Sequence, residues 1–533
     1  MKFARLSRVG ILCFLGLSLV FTSCKEKKGS GVSSYIPEEG TFMVFSIDFQ
    51  NIMEKADYEN VKTLDFFKDA IEEVKEESEL LVEIMNDPRK SGIDLAQDAY
   101  IFVEFEEITE EDPKGAMGFV AALADKNQFE KVLKESPEPI PFVKGNGYTR
   151  LADDENEEFG MAWNDEVLFI GARFSDDMDR PAGPLLDEFF AKKQSSIAKN
   201  SAWKALSAED HDIAQFVNFD PIFEAMEDEL STQLALFGIE EKDLKDNYIT
   251  AFTDFKNGEV YSETGYFLQP ALTKDINMFF KDEVKTDFAK YVPNNGQMAY
   301  MTFGLDIRGV EQVLKEKGML GLANMQMAQL GLTSEDLSKG FGGDIMLSVH
   351  LEGEDSGFGL FGMDIKDREI FNKFLELGEQ FGALSKESDD QYIINNTSNA
   401  LGELIRFDPT AEGDARLVIK DNILFVTDRK DVYTTILEGG FDGDAAMDKS
   451  IHNEISDNLW GLKMVFEPIE AMIKEELPGF NLESVKATTT KKKSETALYM
   501  KNKEENILKS LVKLINDAYL QEKEREKDYQ WDE

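Results

Sequence analysis

The sequence predicts an α+β protein built as two tandem homologous domains, each a mainly antiparallel sheet covered on a face by helices. Three observations carry this expectation. Short segments recur in the same order at an offset of about 230 to 260 residues. Runs of strand composition are joined by residues suited to tight hairpins. Those runs alternate with amphipathic stretches of 3.6-residue period.

The chain opens with Lys2, Arg5 and Arg8, continues apolar from Val9 to Phe21, and reaches Thr22-Ser23-Cys24. A basic start, an apolar stretch and small residues before a cut describe a signal peptide over residues 1–23. The apolar run is about thirteen residues, short of the roughly twenty needed to span a bilayer. Phe21-Thr22-Ser23-Cys24 resembles the bacterial lipobox, which implies acylation of Cys24 and a membrane-anchored mature N-terminus. The alternative is ordinary signal-peptidase cleavage beside an incidental cysteine.

Cys13, the only other cysteine, lies within that leader. A mature chain without a second thiol has no intramolecular disulfide, Cys-based zinc site or CxxC redox pair. His211, His350 and His452 are far apart, and none has a second His at ligand spacing. No cofactor is expected, and a metal would have to be a hard cation held by carboxylates.

With 104 acidic against 58 basic residues the formal charge is −46, and loss of Lys2, Arg5 and Arg8 takes it to −49. Such a surface repels nucleic acid and anionic lipid head groups. The chain is 42% hydrophobic with 40 Phe, so it has the material for more than one core. Residues 24–34, polar and Gly/Ser-bearing from Lys25 to Ser34, read as a flexible tether. Lys25-Glu26 followed by Lys27-Lys28 partly resembles a Bacteroidota surface-export signal. The inward and outward faces of the outer membrane both stay open.

The first repeat is read over 35–288 and the second over 289–520, with a polar tail at 521–533. Tyr35-Ile36-Pro37-Glu38-Glu39-Gly40 recurs as Tyr291-Val292-Pro293-Asn294-Asn295-Gly296. Each is followed by a strand-like run, from Phe42 and from Met298. Leu64 to Met85 then has helical periodicity, and Tyr100–Phe105 and Gly118–Leu123 read as strands. Asp125 and Asp367 read as N-caps of the helices that follow. Asn164-Asp165 and Asp421-Asn422 sit at hairpin turns between apolar runs, and Lys256-Asn257-Gly258 marks another.

Phe219-Asp220-Pro221-Ile222 answers Phe466-Glu467-Pro468-Ile469, and Ser262-Glu263-Thr264 answers Ser494-Glu495-Thr496. These two triplets are the shared polar candidates for a ligand contact. An alternating strand with Ser and Thr on one face and Glu on the other is the competing reading.

Other candidates carry less chemistry. Gly357-Phe358-Gly359-Leu360-Phe361-Gly362 matches G-x-G-x-x-G in spacing but lies inside a strand-like run, where a Gly-containing edge strand fits better than a dinucleotide turn. The acidic clusters Glu106–Asp112 and Asp153–Glu158 read as solvated hairpin tips. Asp442, Asp444 and Asp448 come nearest to a calcium loop but lack its closing Glu. No G-x-S-x-G, H-E-x-x-H or P-loop appears.

The lipobox, the Tyr-Ile-Pro-Glu-Glu-Gly start with its Phe-rich strand, and the second such start at Tyr291 together resemble an uncharacterised group of Bacteroidota lipoproteins, the family of domain of unknown function 4836. The resemblance implies a cell-envelope address and no known activity. The expected role is binding or scaffolding without catalysis, with an envelope protein or glycan as partner. Two alternatives stand beside it. One is a carboxylate-dependent glycan or peptidoglycan hydrolase, which needs two acids across a cleft. The other is a chaperone-like outer-membrane assembly factor, which needs an exposed apolar patch.

Overall fold

The computed structural model describes residues 31–107, 114–136, 141–152, 159–174, 183–191, 195–225, 241–353, 356–395, 415–476, 479 and 481–529. Their regular structure is α+β, with helices and antiparallel strands. The chain divides into two compact units. One takes in the described residues up to Gln269 and again from Asn502, and the other is Pro270–Lys501.

In the first unit ten strands are described: β1 (Thr41–Ile47), β2 (Ala99–Glu107), β3 (Lys114–Ala122), β4 (Phe142–Lys144), β5 (Thr149–Leu151), β6 (Phe159–Trp163), β7 (Val167–Phe174), β8 (Ile213–Asn218), β9 (Tyr248–Lys256) and β10 (Glu259–Phe267). Their antiparallel pairings give the order β4-β5-β6-β7-β3-β2-β1-β8-β9-β10. Alternation sends Val44, Phe102, Val120 and Phe169 to one face. There they pack with Leu185, Leu186 and Phe189 of the Gly183–Phe190 helix and Trp203 of the Ser201–Leu206 helix. The opposite face sends Ala99, Ala121, Leu168 and Trp163 against Phe129 and Val132 of the Lys126–Lys134 helix and Ile84 of the Glu79–Asn86 helix.

The second unit has β11 (Gln297–Gly304), β12 (Phe341–Leu351), β13 (Gly357–Ile365), β14 (Leu384–Ser388), β15 (Gln391–Ile394), β16 (Arg416–Lys420), β17 (Ile423–Thr427), β18 (Trp460–Val465), β19 (Leu482–Thr489) and β20 (Lys493–Met500). Their order is β14-β15-β16-β17-β13-β12-β11-β18-β19-β20. Counted from the first strand of each unit, this is the order found in the first. One face packs Tyr300, Met346 and Phe425 with Val432, Ile436 and Ile455, and the other packs Leu424 and Val426 with Phe371 and Leu375.

Several expectations meet particular residues here. Asp125 accepts from Gln128 N at 3.0 Å, and Asp367 accepts from Glu369 N and Ile370 N at 3.0 and 3.1 Å, so both cap helices. Asp421 and Asn422 adopt φ 51° and 60°, the positive values that a two-residue hairpin turn demands. Gly258 has φ 62°, and a Cβ there would stand 2.7 Å from Lys503 Cα.

Five readings need correction. Leu64 to Met85 is two helices, Asp65–Glu77 and Glu79–Asn86, because Ser78 is extended and its side chain accepts from Leu81 N at 3.3 Å, capping the second. Helices cover both sheet faces, not one, as strands such as Val167–Phe174 require by being apolar on both sides. β13 lies between β12 and β17 and is no edge; a Cβ on Gly362 would meet Met346 Cε at 2.9 Å and the Phe288 ring at 3.3 Å. The boundary read at 288/289 falls inside the second unit, since Val284 and Phe288 belong to its core. The chain also returns to the first unit through the Ile507–Tyr529 helix, which takes in much of the tail read from 521.

Candidate functional site

Tyr35 and Tyr291, the tyrosines of the two similar sequence segments, each reach the turn of a hairpin in their own unit. Tyr35 donates to Glu166 Oε2 at 2.7 Å, and Asn164 Nδ2 donates to the Tyr35 oxygen at 3.3 Å. Tyr291 donates to Asp421 Oδ2, which also receives Lys290 Nζ at 2.9 Å. These two donors, the tyrosine first, hold the Asp421 carboxyl below its usual range. The motif therefore pins β6–β7 in one unit and β16–β17 in the other.

The Ser-Glu-Thr triplets lie on β10 and β20 in matching register. Ser262 pairs with Thr253 and Ser494 with Thr489, and in both pairs the hydroxyl oxygens stand 2.7 Å apart. Tyr261 donates to Glu263 at 3.1 Å, and Lys493 pairs with Glu495 at 2.6 Å. Thr264 faces Ala251 and Thr496 faces Ala487 across the ladder. These groups join neighbouring strands, and Ser and Thr share the sheet face opposite Glu.

On that face of the first unit, one cross-strand row is apolar from end to end. It runs Phe159, Ala172, Met117, Val103, Met43, Val217, Ile249 and Tyr266. Phe159 is 42% and Met117 46% exposed, and the others are half-buried. The corresponding row of the second unit runs Gly359, Val349, Ala299, Met464, Val485 and Leu498. A single exposed apolar residue is ordinary; a row in register across eight strands, with Phe159 and Met117 exposed and six residues half-buried, is a continuous, partly exposed apolar strip. It was missed in the sequence because it depends on pairing between strands that lie far apart in the chain.

The structure also shows buried polar groups with no sequence signature. His350 is fully buried, with Nδ1 3.0 Å from Asn295 O and Nε2 2.8 Å from Ser348 Oγ. The carbonyl can only accept, so Nδ1 carries the hydrogen and Nε2 accepts from Ser348. Burial lowers this imidazole to about 4. Tyr300 and His452 form a second buried pair at 2.8 Å, and burial lowers His452 as well.

Asp344, 2% exposed, accepts from Lys281, Lys285 N, Thr286 N and Thr286 Oγ1, while its own N–H donates to Asp364 at 2.6 Å. Burial, and then Asp344, raise the Asp364 carboxyl. The Ser348–His350 pair is sealed from solvent, and both Asp344 oxygens are engaged, Oδ1 by Lys281 and Oδ2 by the 285–286 loop.

Asp448 caps the Lys449–Ser456 helix through Ser450 N at 2.8 Å, while Asp442 and Asp444 flank and enter a short 3-10 turn, Gly443–Ala445. Among the described residues no group of three or more His, Cys, Asp or Glu is arranged to hold a metal. Cys24, residues 108–113 and Asp153–Glu158 lie outside the described residues. A cavity beside Phe49, Ile93 and Phe119 measures about 10 Å³, room for a single water. No described helix is long and apolar enough to cross a membrane.

No curated protein and no solved structure matches the chain. A family model does match, over residues 33–413, more than two thirds of the sequence, and the chain belongs to that family, the Domain of unknown function (DUF4836).

Proposed function

We propose that this chain is a non-enzymatic envelope lipoprotein, lipidated on Cys24 and held at the outer membrane of a Bacteroidota cell, that binds or scaffolds a partner through the partly exposed apolar row of its first sheet. The two units are read as products of an internal duplication. The common strand order, the paired Tyr–carboxylate ties and the paired Ser–Thr bonds support that descent. One observation carries the functional reading: beyond fold-holding polar contacts the units share an apolar cross-strand row at the same register, which in the first unit is exposed at Phe159 and Met117. A shared row offers contact area, whereas a hydrolase would need paired acids facing a cleft.

The test is site-specific photo-crosslinking in the native envelope, with the crosslinker at Met117 or Phe159. The proposal expects a discrete product from these positions that is missing when the crosslinker stands at Asp165, whose side chain is 87% exposed on a turn. Identical patterns at all three sites, or glycan release from purified peptidoglycan by the chain alone, would overturn it.

A second reading, the assembly factor, draws on a different place. Gly318 to Ser334 carries no charged residue in a chain that is 30% charged, and Leu322, Met325 and Leu330 are 54%, 60% and 45% exposed. Flexible methionine-bearing surfaces suit varied apolar segments. Suppression of outer-membrane-protein aggregation by the chain, lost on Met325→Glu, is its signature.

A further inference from the structure

The Ile507–Tyr529 helix belongs to the first unit and is held there in two different ways. At its start the attachment is firm. Asn506 bridges Asn257, its Nδ2 donates to Phe255 O at 2.8 Å, Gly258 N donates to Glu505 O at 2.9 Å, and Ile507 is fully buried. Farther along, the grip comes from one helix face: Val512, Asn516, Tyr519 and Lys523, spaced by four, three and four residues, line one side.

These residues meet the Phe49–Ala56 and Asp65–Glu77 helices and the turn between them. Lys509 pairs with Asp57 at 2.9 Å, both side chains being about two-fifths exposed. Tyr519 donates to Asp69 at 2.6 Å, and Lys523 pairs with the same carboxylate, again half-exposed. Val512 packs against the satellite cluster of Met53, Tyr58, Val61, Phe67 and Met85, which is separate from both faces of the sheet. Half-exposed ion pairs are weak and screened by salt.

Asn516 supplies what the receiving helix lacks. The Asp65–Glu77 helix begins after Leu64, which offers no side-chain cap, and Asn516 Oδ1 instead accepts from Asp65 N at 2.9 Å and Phe66 N at 3.4 Å. A residue some 450 positions away thus serves as the N-cap of this helix.

We propose that the C-terminal helix is a latch, hinged at Asn506–Ile507, that releases from Lys509 onward and uncovers a helix-binding groove between the Phe49–Ala56 and Asp65–Glu77 helices. The groove's occupant is the chain's own C-terminal helix, so opening exposes the cluster around Phe67 and uncaps the Asp65–Glu77 helix without disturbing the sheet. Local release of this kind draws on the low end of a protein's opening free energies. It responds to ionic strength, because three of its grips are charge-assisted.

Hydrogen–deuterium exchange on the full chain tests this, at low salt and at 1 M NaCl, with Asn516→Ala and Asp69→Asn as separate variants. Each variant, and salt alone, is expected to speed exchange over residues 65–77 and 509–529 by roughly tenfold, with β1, β2 and β8 unchanged. A labelled peptide spanning residues 505–529 with its Asn516 intact is expected to bind the Asn516→Ala chain more tightly than wild type at the same low salt, because that variant loosens the resident helix and leaves the groove unchanged. Unchanged exchange over 65–77 in every arm would overturn the latch. So would equal acceleration across β1, β2 and β8, which would make the helix an integral part of the fold. Salt needs no substitution, so its arm stands even where a variant fails to fold.

Discussion

Lowering the pH from 8 to 4 should destabilise the second unit through His350, and the size of the effect follows from its surroundings. The imidazole is fully buried between Asn295 O and Ser348 Oγ and is stacked on Phe358 at 4.5 Å. The Arg429 guanidinium lies 4.9 Å from the same Phe358 ring and pairs with Glu352. Glu352 favours a charged imidazole and Arg429 opposes it, but desolvation is the largest influence and takes the folded value to about 4.

The unfolded value is about 6.5, so between pH 6.5 and 4 the unfolded chain binds more protons and stability rises with pH. All of this stability is present above pH 6.5. The loss is about 2 kcal/mol by pH 5 and about 3 kcal/mol by pH 4, from 1.36 kcal/mol per unit of displacement. Chemical unfolding, followed by exchange in β11–β13 at each pH, reads it directly. His350→Gln keeps a donor for Asn295 O and an acceptor for Ser348, and should reduce the slope between pH 6.5 and 5, where buried His452, also lowered, supplies part of what remains. Equal slopes in wild type and variant, or an imidazole titrating near 6.5 by NMR, would refute the reasoning.

Other contacts make smaller predictions. Tyr291→Phe removes the donor to Asp421 and should cost about 1 kcal/mol in denaturant unfolding, with faster exchange at the β16–β17 turn. Asp367→Ala deletes an N-cap and should cost about 1 kcal/mol, seen as fraying of the Arg368–Gln380 helix. Asn422→Val forces a β-branched residue to φ 60° and should cost about 1–2 kcal/mol, while Asn422→Gly should be nearly neutral in the same melt. Trp203→Ala empties a fully buried site in the first core and should cost about 3–5 kcal/mol in chemical unfolding.

Much of the fold was legible because its signals are local. Asp125 and Asp367 announced helix starts, Asp421-Asn422 a tight turn, and the Ser-Glu-Thr triplets an alternating strand; each needs only its neighbours in sequence. What depends on distant partners was hidden. Asn516 capping a helix at residue 65, the return of the chain to the first unit, and the packing of Val284 and Phe288 into the second core have no local pattern. The break at Ser78 was lost for another reason: apolar periodicity continues through it, while the serine hydroxyl quietly favours a cap. For the candidate site the split is the same. The Ser-Glu-Thr triplets are legible from the recurrence in sequence, whereas their partners Thr253 and Thr489, and the apolar row across β6, β7, β3, β2, β1, β8, β9 and β10, exist only once the register is fixed.

The central claim, that the apolar row through Met117 is covered by a partner in the envelope, is tested most directly by methionine footprinting. Met117 is 46% exposed on that face, and thioethers oxidise in proportion to access. The account predicts that dilute peroxide oxidises Met117 in the purified chain and spares it in native envelopes, with Met325, 60% exposed elsewhere, as the internal reference. Oxidation of Met117 at the same rate, relative to Met325, in both preparations would contradict it.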